Sequence, residues 1–320
     1  KLEMGPEVKF AWRVDTATSF TAKQIRDIAP SPDGTRLAFS ALDRLYVVDL
    51  PNGTPQRVSK NDVGEFMPAW SPDSKSIAYT TWTDDKGGML MRATLDAKKG
   101  WSTKPLTGSG LYTDIAWSPT GDRIVAVRAA AREMQEAGAA FFGPAASEFV
   151  WVSAAGGAVT LIMPTSRMGN PHFTSSPDRI YAYGREGLVS FRWDGTDLKT
   201  HLKVTGPLPP GAGGSPMTLD AGLDAKAAQQ WIGGRASRPV AEEAPTHLDP
   251  AEPTPPQPPP AALVLMAPKG DQALAMVGMN FYAITIPEIG ATPPTVSVAD
   301  PASAPVPVRK LNEIGGEFPA

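Results

Sequence analysis

A four-residue turn recurs along this chain and leaves few folds open to it. Ser31-Pro32-Asp33-Gly34, at the head of SPDGTRLAFSALDRLYVVDL, returns as SPDSKSIAYTTW from Ser71, SPTGDRIVAVRA from Ser118 and SPDRIYAYG from Ser176, with a weaker APKGDQALAMVG from Ala267. The prolines Pro32, Pro72, Pro119, Pro177 and Pro268 are separated by 40, 47, 58 and 91 residues. A unit of about 40 residues therefore repeats and takes on insertions in its later copies. The turn has a physical logic: Ser opens it, Pro presets φ at the second position, Asp tolerates the third, and Gly accepts a positive φ at the fourth. In the third copy the glycine is Gly121, and in the second and fourth Ser74 and Arg179 follow Asp73 and Asp178. Those two blades should therefore use another turn geometry.

Around the turn, apolar residues alternate with period two. Ile28, Leu37, Phe39, Leu45 and Val47 have counterparts in Trp70, Ile77 and Tyr79 and in Trp117, Ile124 and the smaller Ala126. Strands packed between neighbouring sheets require this pattern. Each unit reads as strand, Ser-Pro turn, strand, short loop, strand, Gly or Asn turn, strand, with DLPNGTPQRV at 49–58 supplying the last turn of the first copy. This is the size and pattern of a propeller blade. The predicted fold is all-β: an incomplete β-propeller of about five four-stranded blades, with a short helical insertion and a Pro-rich disordered one.

The boundaries follow from the repeat. Residues 1–25 read as the remnant of a preceding blade or a linker, and 26–206 as blades one to four. A Pro/Gly-rich insertion occupies 207–261 and a fifth blade 262–315. Residues 316–320 read as the start of a further blade, because GGEFPA from Gly315 nearly copies GEFMPA from Gly64, the lead into the second unit. The opening KLEMGPEVKF has neither an initiator Met nor an apolar signal core, so the sequence reads as a piece of a longer protein.

Two insertions stand out. In AAAREMQEAGAAFFGPAASE, Ala130, Met134, Ala137 and Phe141 share one helical face and Gly138 can end it. The segment predicts a short helix that shields a blade edge or, through Phe141 and Phe142, offers a contact surface to another domain. The second insertion ends in a stretch where nine of the 22 residues from Pro239 to Pro260 are Pro, which removes the donors a ladder or helix needs. Strand direction places both insertions on one propeller face and the Ser-Pro turns on the other. An embellished face is where a partner or a further domain would dock.

Composition removes several function classes. A net charge of -3 with scattered Lys and Arg gives no nucleic-acid footprint. The lack of Cys excludes disulfides, thiolate metal sites and thiol nucleophiles, without fixing the compartment. No apolar run approaches the roughly 20 residues of a membrane span.

Catalytic motifs are missing as well. The three histidines, His172, His201 and His247, form neither His-x-His nor His-Glu-x-x-His, so neither a metal site nor any other cofactor site is predicted within this stretch. There is no Gly-x-Ser-x-Gly elbow, and GSGLYT lacks the further glycine of a dinucleotide loop. TDDKGG at 83–88 and WDGTD at 193–197 read as polar hairpin turns.

IAPSPDGTRLAFS, PAWSPDSKSIAYTTW and IAWSPTGDRIVAV resemble the Trp-Ser-Pro-Asp-Gly repeat of TolB-like propellers, which is WD-repeat-like in length and also occurs in prolyl-oligopeptidase-like peptidases. TAKQIRDIAPSPDGTRLAFSALDRLYVVDLPNGTPQRV, PDRIYAYGREGLVSFRWDGTDLKTHLKVTG and VPVRKLNEIGGEFPA further resemble the propeller region of large bacterial amidohydrolase-family proteins. That resemblance covers most of the chain outside about 207–262. It implies a non-catalytic propeller that positions or gates a downstream hydrolase domain holding a divalent metal, in a periplasmic or other extracytoplasmic setting. The alternatives are a TolB-type protein-binding propeller and the substrate-filtering propeller of a serine peptidase. The partner implied is accordingly the catalytic domain of the same chain or another protein.

Overall fold

The computed structural model of the chain describes residues 22, 24–131, 147–207, 258–287 and 292–312. Among the described residues, 21 strands form five sheets. The chain divides into two compact units, Lys1–Ser166 and Arg167–Ala320.

The first unit holds three antiparallel sheets, each a four-stranded meander in chain order. Blade one is β1 (Arg26–Pro30), β2 (Arg36–Ala41), β3 (Arg44–Asp49) and β4 (Gln56–Arg57). Blade two is β5 (Gly64–Trp70), β6 (Ser76–Trp82), β7 (Leu90–Asp96) and β8 (Gly100–Pro105). Blade three is β9 (Leu111–Trp117), β10 (Arg123–Ala129), β11 (Ser147–Ser153) and β12 (Thr160–Pro164).

Strand alternation sorts each side chain to a neighbour. Ile77, Tyr79 and Met91 of blade two pack with Ala38, Leu45 and Val47 of blade one. Ala78 and Leu90, on the opposite face of blade two, pack with Trp117, Ile124, Ala126 and Val150 of blade three. A second device ties the blades together. In blades two and three the Trp before the repeat Ser donates its indole N–H to the preceding blade: Trp70 Nε1 to Ala29 O and Trp117 Nε1 to Ala69 O, both at 2.9 Å. Arg36 and Arg92 lie over the same two rings, 5.2 and 5.7 Å from the centroids.

The alternation breaks at one place in every first strand of this unit. Asp27, Met67 and Asp114, each four residues before the repeat Ser, have φ of 52°, 52° and 50°. All three sit where the ladder slips register. A bulge of this kind turns the following residue over. Ile28, expected in the core, is 54% exposed for this reason. The Asp27 carboxylate also accepts the backbone N–H of Met67, joining one bulge to the next.

The second unit holds two sheets. Blade four is β13 (Gly169–His172), β14 (Ile180–Gly184), β15 (Gly187–Phe191) and β16 (Lys199–Thr205). Blade five is β17 (Leu263–Met266), β18 (Gln272–Val277), β19 (Asn280–Thr285) and, after an excursion, β21 (Val308–Lys310). The excursion changes the expected count. Between β19 and β21 the chain returns to blade four and adds β20 (Thr295–Ser297) in parallel to β16. Blade four is thus five-stranded. Val296 and Val298 drive this by entering the core that Leu202 and Val204 share with Val264, Ala275 and Ile284.

The predicted helix at 130–141 lies almost wholly outside the described residues, as do Phe141 and Phe142 and residues 208–257 of the Pro-rich insertion. The last residues of that insertion do have a defined place. Gly206 N–H donates to Pro259 O, Ala261 N–H donates to Val204 O, and Ala261 is buried. Proline carbonyls still accept, so prolines can close this junction although they cannot donate within it.

Candidate functional site

The Ser-Pro turns are built alike in three blades. In blade one, Ser31 Oγ–H donates to Asp33 Oδ1 at 2.6 Å and accepts Arg36 N–H at 2.9 Å. Asp33 Oδ1 also accepts from Thr35 N–H and O–H, and Gly34 N–H closes the turn on Ser31 O. In blade two, Ser71 and Asp73 make the same bond at 2.5 Å, Ser76 N–H donates to Ser71 Oγ, and Ser74 N–H donates to Ser71 O. In blade three Thr120 stands in the Asp position, and Ser118 Oγ donates instead to Asp122 at 2.8 Å. Gly121 N–H closes that turn on Ser118 O.

These hydroxyls hold the carboxylates charged. Ser31 and then Thr35 bring the Asp33 pKa down to about 2, and Ser71 and Thr120 lower those of Asp73 and Asp122. Donors that stabilise these carboxylates are engaged inside the turn, so the turn aspartates serve structure.

The expectation of a different turn in blade two is corrected. Ser74 has φ 57°, beside 71° at Gly34 and 72° at Gly121, and repeats their closing bond. Its left-handed conformation carries a modest steric cost. A hydrogen bond that Gly could not make offsets it: Asp33 N–H donates to Ser74 Oγ at 3.1 Å, linking the turns of blades one and two. Blade five keeps the turn with Ala267 in the Ser place and Gly270 at φ 76°. Blade four alone departs. Ser176 Oγ donates to Asp178 at 3.1 Å, Pro177 O accepts the Trp193 indole N–H, and Arg179 leads straight into β14.

Two histidines fall within the described residues, and both have Nε2 hydrogen-bonded. Met266 N–H donates to His172 Nε2 at 2.7 Å, while His172 Nδ1 meets Asn170 O at 2.8 Å. The neutral ring therefore carries its proton on Nδ1. Arg179 Nε donates to Ser190 Oγ at 2.8 Å, and the same hydroxyl is hydrogen-bonded to His201 Nε2 at 2.7 Å. Burial lowers both pKa values to about 4, with the charges of Arg179 and Lys199 adding to the effect at His201. Tyr181 lies between the two rings, with centroids 5.9 and 5.3 Å away.

Other groups had no readable signal. Glu65 is fully buried and accepts Leu45 N–H at 2.9 Å and the Ser59 hydroxyl, fastening blade two to the third strand of blade one. Desolvation raises the pKa of neighbouring Tyr79, and electrostatic repulsion from Glu65 raises it further. Arg179 and Asp197 pair at 2.6 Å across the end of blade four. Residues 193–197 form the hairpin turn their composition indicates, with Asp194 accepting from Thr196 N–H and O–H. Asp197 does more than turn the chain, and its partner Arg179 lies just before β14. Among the described residues, no three His, Cys, Asp or Glu side chains gather as a metal site, and no helix is long and apolar enough to cross a membrane.

Fold and repeat together define a protein made of β-propeller blades built on a Ser-Pro turn. No protein-family model matches the chain. Among solved structures it is similar to a putative TolB from Agrobacterium tumefaciens, at 16% identity over 59% of this chain and 67% of that one, TM-score 0.44. It is also similar to oligogalacturonate lyase from Vibrio parahaemolyticus, at 13% identity over 84% and 65% of the two chains, TM-score 0.49. A puromycin-hydrolyzing peptidase from Mycobacterium tuberculosis aligns at 13% identity over 56% and 31%, TM-score 0.40. The chain thus covers between 31% and 67% of these proteins' lengths.

Proposed function

We propose that this chain is the non-catalytic propeller region of a larger, metal-dependent, amidohydrolase-like hydrolase, and that its blades position or gate a downstream catalytic domain. One observation carries the division of labour: His172 and His201 have their Nε2 atoms already hydrogen-bonded, to Met266 N–H and to the Ser190 hydroxyl. A metal would have to displace those bonds, and a divalent ion activating water needs closely spaced free ligands. The hydrolytic reading rests on the sequence resemblance of the stretches around Ser31, Asp178 and Arg309. In this proposal the divalent metal is held outside the blades, and the partner of the propeller is the catalytic domain itself.

The test compares the 320-residue chain with the complete reading frame. The chain alone should bind no stoichiometric zinc and hydrolyse no amide or ester, and the complete protein should do both. H172Q/H201Q in the complete protein should leave its metal content unchanged. Loss of metal from that variant, with circular dichroism intact, would show that the blades contribute ligands. A complete protein without metal-dependent hydrolysis would favour the TolB-type binding role, or, with a reactive serine, the peptidase role.

A further inference from the structure

Blade four breaks the repeat, and the break opens a cleft. In the other blades a residue of positive φ, Gly34, Ser74, Gly121 or Gly270, closes the Ser-Pro turn. Here the turn is shortened, and Arg179 takes its place at the end of the sheet. Its guanidinium is fully engaged: Nε on Ser190 Oγ, Nη1 on Asp197 Oδ2 at 2.6 Å, and Nη2 on Ser190 O at 3.1 Å and Asp197 O at 2.5 Å. Asp197, itself at φ 55°, is held rigidly by this fork.

Two more cations approach the same carboxylate oxygen. Arg192 Nε lies 3.4 Å from Asp197 Oδ2 and Lys199 Nζ lies 3.5 Å from it, both longer than a good charge-assisted bond. Their side chains are 63% and 45% exposed. One carboxylate, already neutralised by Arg179, cannot satisfy three cations. The two other acids on the cleft accept hydroxyl hydrogen bonds, Asp194 from Thr196 and Asp178 from Ser176, and remain charged competitors at its rim. Together with Trp193 these residues line a cleft of about 560 Å³. The cleft lining holds three cations, Arg179, Arg192 and Lys199, against three carboxylates, and Arg192 and Lys199 are the two whose ionic contacts are long.

We propose that this cleft binds a small multivalent anion, a phosphate group or a compact di- or tricarboxylate. Arg192 and Lys199 grip the ligand, and the Arg179–Asp197 pair forms the fixed wall that keeps them apart. The inference does not depend on the hydrolase reading, because it concerns blade four alone. Inorganic phosphate and citrate, titrated separately into the whole chain at low ionic strength, serve as probes by calorimetry.

At least one of them should bind saturably at a single site. R192Q/K199Q changes only exposed side chains and should weaken that binding about tenfold or more, with an unchanged melting temperature. D194N, which removes a competing charge at the rim, should tighten it severalfold. Raising salt to about 0.5 M should weaken it, as expected for an exposed ionic site. Absence of saturable binding up to about 20 mM of either anion, far weaker than paired cations should give, would overturn the proposal. So would equal affinity in R192Q/K199Q. Binding of a divalent cation that is lost in D194N would overturn it too, by showing that the acids dominate the cleft.

Discussion

Ser31 and Ser176 occupy the same place in the repeat, yet they differ in what depends on them. Ser31 is buried and both donates to Asp33 and accepts from Arg36, whereas Ser176 is exposed and stabilises only its own turn. S31A should therefore cost about 1–2 kcal/mol, the range for a buried group left without its partner. S176A should stay within about 0.5 kcal/mol, as exposed substitutions do. Urea denaturation of both variants checks the contrast, and equal effects would mean that burial of the turn hydroxyl does not set its contribution. At this scale the sequence was readable wherever a residue's partners lie within five positions, as in Ser71-Pro72-Asp73. It was unreadable where the partner is remote. Ser74 looked like a broken turn because its compensating bond to Asp33 belongs to the neighbouring blade. Asp197 looked like one more polar turn residue because Arg179 lies 18 positions earlier, at the entrance to β14.

Strands show the same divide. Blade number and strand order were legible because each meander pairs neighbours in sequence, and the apolar period of two names the packed faces. The bulges at Asp27, Met67 and Asp114 were not, since nothing in the local residue types announces a left-handed residue inside a strand; Ile28 was misplaced as a result. The fifth strand of blade four was hidden for another reason: TVS is too short to carry a period, and its partner Lys203–Thr205 lies far back in the chain. That strand should nevertheless be a main support of the second unit. Val296 is fully buried, so V296D places a carboxylate in an apolar core and should cost about 3 kcal/mol or more. In the first unit the corresponding fastener is an indole. W117F keeps most of the ring but leaves Ala69 O without its donor, and should lower stability by about 1–3 kcal/mol. Thermal unfolding of the two variants tests both; a wild-type melting temperature for V296D would mean that β20 is not part of the core.

At the scale of the whole molecule, the two units differ in one element of their chemistry: all three histidines of the sequence lie after Ser166, and the first unit has none. His172 and His201 fold as neutral rings, with pKa values lowered from 6.5 to about 4. Between those values the unfolded chain binds more protons than the folded one, so stability falls as pH falls. The contribution of the two rings is complete above about pH 6.5 and is lost progressively towards pH 4. The carboxylates of the Ser-Pro turns, whose pKa values are lowered from 3.8, act below that window. Protonating His172 meets Met266 N–H, Asn170 O and the Tyr181 ring; protonating His201 meets the Ser190 hydroxyl, Arg179 and Lys199, so neither ring has an acid beside it to welcome the charge. The second unit should accordingly loosen first in mild acid. Hydrogen exchange at pH 7.0 and 5.0, with labelling times scaled for the intrinsic rate, should show amides of β13–β17 losing protection while those of β5–β10 keep theirs. H172Q, which can still accept from Met266 N–H through its side-chain oxygen but cannot take up the proton, should recover part of the loss at pH 5.0 and change little at pH 7.0. Equal loss of protection in both units, or no gain from H172Q, would show that the neutral histidines do not set the acid response.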